Sequence, residues 1–327
     1  MAVEHAFSPK EWKVAVVSDA TNAGATGIGT TMLQLDVDSI GMPSLNPNQV
    51  VDVRSGVGRA FKKEDFFQDN KLRVSEISLS GTMHLDNGHL LLLRNICNDE
   101  SGDIQIPTGF APASQLYGSA VTNTVSSLTL VMQPSDVTNQ RGLEFAGCIV
   151  TSFTLSADTT AEGGRYKFSA TLQTGKLPDL ASTAEPTITA YANTTQKFLS
   201  TANGVKVYAK DAILQSFSTV IESPAVFTGF TTTGYEGVHR GSEVSVVTDA
   251  TVKYDGNTKD LINLFDTQTA ILEGNAFNIT NNASFGVSTP NGLLTDVSLN
   301  EGDIMMLDCS IKSADNGSEP LLSVDVA

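Results

Sequence analysis

What this 327-residue chain has little of narrows its reading first. There are three cysteines, Cys97, Cys148 and Cys309, and none forms a CxxC pair. Their odd number and wide spacing point to reduced, packed thiols of a cytosolic protein, with a bridge between any two left open. Aromatic residues are scarce and Trp12 is the one tryptophan, which argues against a surface rich in aromatic binding anchors. Basic residues are outnumbered, 20 against 36 acids, for a formal charge of −16. Such a chain is a poor clamp for nucleic acid, because phosphate contacts need Lys and Arg. It repels DNA instead, which suits a surface that DNA must slide past. The longest apolar runs, such as Leu90 to Leu93, are far too short to cross a bilayer. Residues 1–30 show no basic start followed by an apolar core, so no secretory signal is expected.

Catalytic motifs are scarce too. The four histidines, His5, His84, His89 and His239, have no metal-ligand spacing. His84 is expected on a strand and His89 at a helix start, each as a surface or packing residue. There is no GxSxG and no Gly-Lys-Ser/Thr. The glycine run Gly24-Ala25-Thr26-Gly27-Ile28-Gly29 does not lead from a strand into a helix, so it reads as a flexible arm. The acidic turns Asp158 to Gly164 and Asp296 to Asp303 lack the alternating oxygen ligands of a calcium loop. Asn193-Thr194-Thr195 and Asn278-Ile279-Thr280 fit the glycosylation pattern, which is idle without a secretory route. No cofactor, metal or catalytic constellation is expected, and the chain reads as a non-enzyme.

What is there is an internal repeat. Ser75-Glu76-Ile77-Ser78-Leu79 returns as Ser242-Glu243-Val244-Ser245-Val246. Each copy runs into an Asp-centred turn (Asp86-Asn87-Gly88 and Asp255-Gly256-Asn257) and then a helix-like segment, Leu90 to Cys97 and Leu261 to Thr269. Asn87 is the expected cap of the first helix and Asn257 or Thr258 of the second. Leu90, Leu91, Leu93 and Ile96 are expected to face a sheet, as are Leu261, Ile262, Leu264 and Phe265. A second pair, Gly147 to Ser156 and Gly292 to Asn300, is followed by the alternating strands Arg165 to Thr174 and Ile304 to Lys312. This period is too long for a solenoid and suggests two copies of one domain; two unrelated β domains with generic strand chemistry are the alternative.

The rest of the chain fits a mainly β protein. Residues 1–30 read as an irregular N-terminal arm. Thr31 to Ile40, Val74 to Leu85, Ser126 to Gln133, Cys148 to Ala157 and Val205 to Phe217 read as strands. Residues 31–180 form the first domain, the Thr/Ala/Asn-rich stretch 181–203 a linker, and residues 204–327 the second domain. Inside the first domain lies one basic island. Arg54, Arg59, Lys62, Lys63, Lys71 and Arg73 stand against Glu64, Asp65 and Asp69, with Phe61, Phe66 and Phe67 among them. An excursion of that length is usually functional, and its sign suits docking on an acidic copy of the same protein; an ordinary solvated loop is the alternative. Phe227 to Arg240 is its shorter, nearly uncharged counterpart in the second copy.

The arrangement resembles the tail tube (major tail) proteins of long-tailed bacteriophages, in the form with two tube domains in one chain. The resemblance rests on Val74 to Gly81 leading into the Leu-rich helix, Ser127 to Val131 before Phe145 to Ser156, and Gly163 to Ala170. It implies two tandem β-sandwich or half-barrel domains, each with one short flanking helix and long loops. By that resemblance three chains form a pseudo-hexameric ring, and rings stack into the hollow tube that conducts DNA during ejection. The implied partners are further copies, the tail terminator, tail tip and tape-measure proteins, with transient passage of DNA and no membrane. The implied location is the virion tail, assembled in the host cytoplasm. Carried onto this chain, Gly41 to Lys71 is the stacking arm, with Arg54, Arg59, Phe61, Lys62, Lys63, Phe66, Phe67 and Lys71 at the interface. Ser223 to Arg240 is a weaker second arm, residues 1–31 brace a neighbour, and Glu76, Glu243 and Asp249 face the lumen. The competing reading is a two-domain β-sandwich on the virion surface that binds the host.

Overall fold

The computed structural model describes residues 11–19, 31–43, 48–51, 66–69, 74–97, 104–107, 115–117, 127–134, 142–178, 186–192, 196–199, 202–229, 234–241, 243–267, 272, 274–281 and 285–326. The protein is mainly β, with two short helices. Its first half contains β1 (Lys13–Ser18), β2 (Thr31–Leu35), β3 (Val37–Gly41), β4 (Asn48–Val51), β5 (Phe66–Asp69) and β6 (Ser75–Thr82). Helix α1 (Asn87–Cys97) follows, then β7 (Ile104–Ile106), β8 (Gln115–Tyr117), β9 (Leu128–Gln133), β10 (Leu143–Asp158), β11 (Lys167–Thr174) and β12 (Thr187–Thr189). The second half holds β13 (Ala202–Val207), β14 (Lys210–Asp211), β15 (Leu214–Glu222), β16 (Ala225–Thr228), β17 (Gly237–Arg240) and β18 (Ser245–Lys253). It ends with α2 (Leu261–Thr267), β19 (Phe277–Asn281), β20 (Gly286–Thr289), β21 (Gly292–Glu301), β22 (Met305–Ser313) and β23 (Leu322–Asp325).

The strands build two layers. The first is one long antiparallel sheet, β3-β6-β11-β10-β15-β18-β22-β21. Its order is one four-strand arrangement met twice: β3-β6-β11-β10, then β15-β18-β22-β21. The second layer follows the same rule, β2-β1-β9-β10 in the first half and β14-β13-β19-β20 in the second. Strand β10 serves both layers of the first half. It pairs β9 up to Cys148 and β11 from Ile149 onward. The turn-over occurs at a bulge between Phe145 and Cys148 where Gly147 has φ 64°, a conformation that costs glycine little. In the second half the same crossing is made by two strands, β20 and β21, separated by Pro290 and Asn291.

Alternation explains the layering. Along β6, Ser75, Ile77 and Leu79 are buried while Glu76 and Ser78 are exposed; β11, β15, β18 and β22 alternate in the same way. Apolar side chains of both layers and both halves share one core, including Val16, Leu130, Phe153, Phe217, Phe277 and Ile311. Helix α1 packs on β10, β1, β2 and β7, and α2 packs on β21. Neither is long and apolar enough to cross a membrane.

Several expectations are corrected. The segment taken as an irregular arm contains β1, whose Val14 and Val16 are buried; a Val-Ala-Val-Val run shows no alternation because β1 is apolar on both faces. Helix α1 is capped by Asp86, not by Asn87, whereas Asp255 closes the turn ahead of α2, where the Lys259 N–H meets its carbonyl. Asp86 Oδ1 accepts the Gly88 and His89 N–H groups at 3.1 and 3.2 Å, and Asp255 Oδ1 accepts those of Asn257 and Thr258 at 2.8 and 3.2 Å. On α1 the buried side includes Leu92, with Leu91 only partly covered. On α2 Leu261 is fully buried, and Ile262, Leu264 and Phe265 pack half-covered against the core, as expected. The stretch Val205 to Phe217 is not one strand, since Tyr208 and Ala209 turn at positive φ between β13 and β14. The stretch 181–203 contains β12, which adds to β2 in parallel, and β7 of the first half completes the sheet of the second by pairing β23.

Candidate functional site

The functional surface is built from the long sheet, whose inner side is core and whose outer side is open. The outer side carries Ser, Thr and charged groups by the same alternation that buries the apolar ones. Its acids are Glu76, Asp158, Glu222, Asp249, Asp296 and Asp308, against Lys167, Lys253 and Lys312. Lys167 is already matched, at 3.1 Å from both Asp38 and Glu162; those two carboxylates raise its pKa against the opposing effect of partial burial. Part of this face is hollowed into a trough of ≈ 590 Å³, bordered by Asp158, Asp249, Asp296 and Asp308 and by Arg165 and Lys167. Of the three residues expected to face a lumen, Glu76 and Asp249 lie exposed on this open side, and Glu243 is exposed just before β18 begins.

The two excursions leave the same end of the sheet. One follows β3 and contains the hairpin β4–β5; the other follows β15 and contains the hairpin β16–β17, to which β8 adds. Phe66 and Phe67 lie in β5. Arg54, Arg59, Phe61, Lys62, Lys63 and Lys71 lie outside the described residues. The opposite end of the sheet exposes Ile213, Ile304 and Met305, at 60%, 64% and 45%. These apolar groups sit at the end away from the hairpins.

The root of the second excursion holds a residue that composition does not single out. Arg240 is fully buried, with no acid beside it among the described residues. Its guanidinium donates to the carbonyls of Val150, Ser223 (3.0 Å) and Asn95 (2.6 Å) and to Asn95 Oδ1 (3.1 Å). Burial lowers its pKa to about 10. Asn95 in turn accepts the Val150 N–H at 2.8 Å. One side chain thus ties the C-terminal turn of α1, the bend of β10 and the end of β15 to the second hairpin.

The described titratable groups converge at one other place. His84 and His89 are both 0% exposed, with ring centroids 5.0 Å apart. His89 Nε2 accepts the Asp36 N–H at 3.0 Å, so its Nδ1 carries the proton that it donates to Asp86 Oδ1 at 2.8 Å. Burial alone raises the Asp86 pKa, but the hydrogen bonds from His89 outweigh it and leave that pKa lowered. His84 lies 3.0 Å from Asp36 Oδ2 and 3.2 Å from the Ala192 carbonyl, and the Tyr191 ring leans against it at 46°, centroids 4.6 Å apart. The cluster pins the corner between β2 and β3, the start of α1 and residues 191–192 together. Its imidazoles are sealed from solvent, which fits packing better than proton transfer to a substrate. Among the described residues, no group of three or more His, Cys, Asp or Glu could hold a metal ion. Cys97, Cys148 and Cys309 are all buried.

No protein-family model matches the chain, and no curated protein matches it.

Proposed function

We propose that this chain is the building block of a hollow phage tail tube: three copies close a ring, rings stack, and DNA passes through the bore. One observation carries the reading. The long sheet is a four-strand arrangement placed twice in tandem, and its halves are joined by ordinary strand pairing between β10 and β15. A sheet extended by copying one unit side by side leaves complementary edges at its two ends, β3 and β21. A heterologous contact of that kind closes into a ring when the rotation per unit divides a full turn. Ring closure also covers strand edges that otherwise invite aggregation. Three chains supply 24 strands to the wall, eight from each. At ~4.8 Å between strands and a tilt of ~40°, such a wall is roughly 45–50 Å across between backbones, enough for one DNA duplex after side chains are subtracted.

Two further features support it. The open side is polar and mostly acidic, so it stays wet and repels phosphate. The hairpins at one end and the exposed Ile213, Ile304 and Met305 at the other give each ring two unlike faces, as growth along an axis requires. By the resemblance, the first hairpin and its basic loop are the docking arm, the tail terminator, tip and tape-measure proteins are partners, and the protein acts without catalysis in the virion tail. Negative-stain imaging and mass measurement of the purified protein test this. Rings or tubes of constant width, with a mass of three times the 34.5 kDa chain per ring, are expected. Dispersed monomers that bind glycans would overturn the reading in favour of a host-binding module.

A further inference from the structure

The pairing of β10 with β15 inside the chain is a joint whose register can be set against the two outer edges of the sheet. Both halves carry bulges at two matching places. The first strand of each has an extra residue, Asp38 opposite β6 and Gln215 opposite β18. The last strand of each also has one, Thr151 opposite β11 and Thr295 opposite β22. The threonines even make the same bond, donating their hydroxyls to the carbonyls of Thr171 at 3.2 Å and Ser310 at 3.1 Å. Aligning the bulges places Leu299 on Leu155, each four residues past its bulge, and Met42 on Thr219 likewise.

Leu155 and Thr219 face each other across the internal joint, and both are buried, at 2% and 1%. Leu299 and Met42 stand at the two outer edges of the sheet and are 49% and 51% exposed. Both point toward the core side, since Leu299 pairs the buried Leu307 and Met42 follows Gly41 in the alternation of β3. Two large apolar side chains thus lie bare where the internal joint has a covered pair, one on each edge. Among the described residues, β3 pairs only β6, and the Leu293–Glu301 part of β21 pairs only β22.

We propose that β21 of one copy pairs antiparallel with β3 of the next, with Leu299 opposite Met42 and Asn300 opposite Gly41, repeating the β10–β15 joint. This rests on the ring reading and names its contact. Backbone donors fit the register. At the internal joint Ser223 N–H donates to Thr151 O and Thr159 N–H to Gln215 O, both at 2.9 Å. Hydrogen-bonded pairs therefore alternate through Phe153–Ile221, Leu155–Thr219 and Ala157–Phe217, and Thr154–Val220 is a non-bonded pair. Pro43 takes the place of Val220, so its missing N–H falls where nothing is donated across the joint. Leu299 and Met42 take a bonded pair and would exchange two backbone hydrogen bonds.

Paired cysteines test the register. A bonded antiparallel pair has Cα atoms ~5.5 Å apart, within disulfide reach, whereas a diagonal pair lies at ~7–8 Å. Within one chain β3 and β21 are seven strand spacings apart, roughly 34 Å in a flat sheet, so a bridge must join two chains. The native thiols are buried and do not compete. The full chain carrying Met42→Cys and Leu299→Cys, oxidised after assembly, is expected to give covalent dimers and trimers. Met42→Cys with Val297→Cys should give at least about tenfold less, being off register. Rings that assemble but show no bridge, or bridge equally in both variants, would overturn the register and leave the ring intact. Monomers alone from the unaltered chain would overturn the ring reading and this joint with it. As a second variant, Leu299→Asp changes an exposed edge position. It should leave thermal unfolding of the monomer unchanged while weakening assembly at least about tenfold; undiminished assembly counts against the joint.

Discussion

Arg240 shows how much a single side chain can organise. It sits where α1 and β15 end and β10 bends, and each place leaves a carbonyl in need of a donor. Replacing it with Met keeps the length but strands those carbonyls in the core. Arg240→Met is expected to destabilise the fold by on the order of 3 kcal/mol, read from urea unfolding. Asp86 works at a smaller scale. Removing the cap in Asp86→Ala should cost about 1 kcal/mol at pH 7. Its lowered pKa also sets a pH window. Because the folded value lies below the usual 3.8, the stabilisation is complete above that value and is lost as pH falls through the folded value. The stability gap between wild type and Asp86→Asn should therefore be level from pH 5 to 8 and narrow below about pH 4. A gap that widens on acidification would contradict that assignment.

At the scale of elements, the sharp point is the corner between β2 and β3. The chain passes from one layer to the other at Asp36, directly over Gly81 of β6. A Cβ on Gly81 would lie 1.9 Å from the Asp36 carbonyl oxygen, so the strand crossing depends on that hydrogen. Gly81→Ala is expected to cost at least about 3 kcal/mol, since backbone rather than a flexible side chain must move; chemical denaturation would measure it. The element scale also shows what periodicity could and could not reveal. Strands with one wet face, such as β6, β11 and β22, were legible because their side chains alternate. Strand β1 was not, having cover on both faces, and the hairpin β4–β5 hid inside a charged excursion. The helices were legible as leucine-rich segments after Asp turns. The cap of α1 lies one residue earlier than expected, because Asp and Asn adjoin there and only the carboxylate geometry separates them.

For the whole molecule, the open acidic side of the long sheet belongs to no single strand. A triple reversal, Asp158→Lys, Asp249→Lys and Asp308→Lys, should turn a DNA-repelling surface into one that retains duplex DNA. Retention should fall steeply with added salt. In assembled particles the same change should slow ejection; an unchanged ejection rate would refute the low-friction role assigned to the acids. The cluster of His84, His89, Asp36 and Asp86 belongs to this scale too, since with residues 191–192 it joins three distant stretches of chain.

Strand content, the Asp turns, the two helices and the likeness between residues 75–79 and 242–246 can be read from the one-dimensional chain, because local periodicity and turn chemistry depend on neighbours in sequence. The partners of each strand cannot be read there. That β10 pairs β15, that the same bulges recur in both halves, and that Leu299 and Met42 lie bare at opposite edges are decided by tertiary packing. Hydrogen bonds between strands join residues far apart in the chain, and an apolar side chain reads the same in sequence whether its neighbour is present or missing.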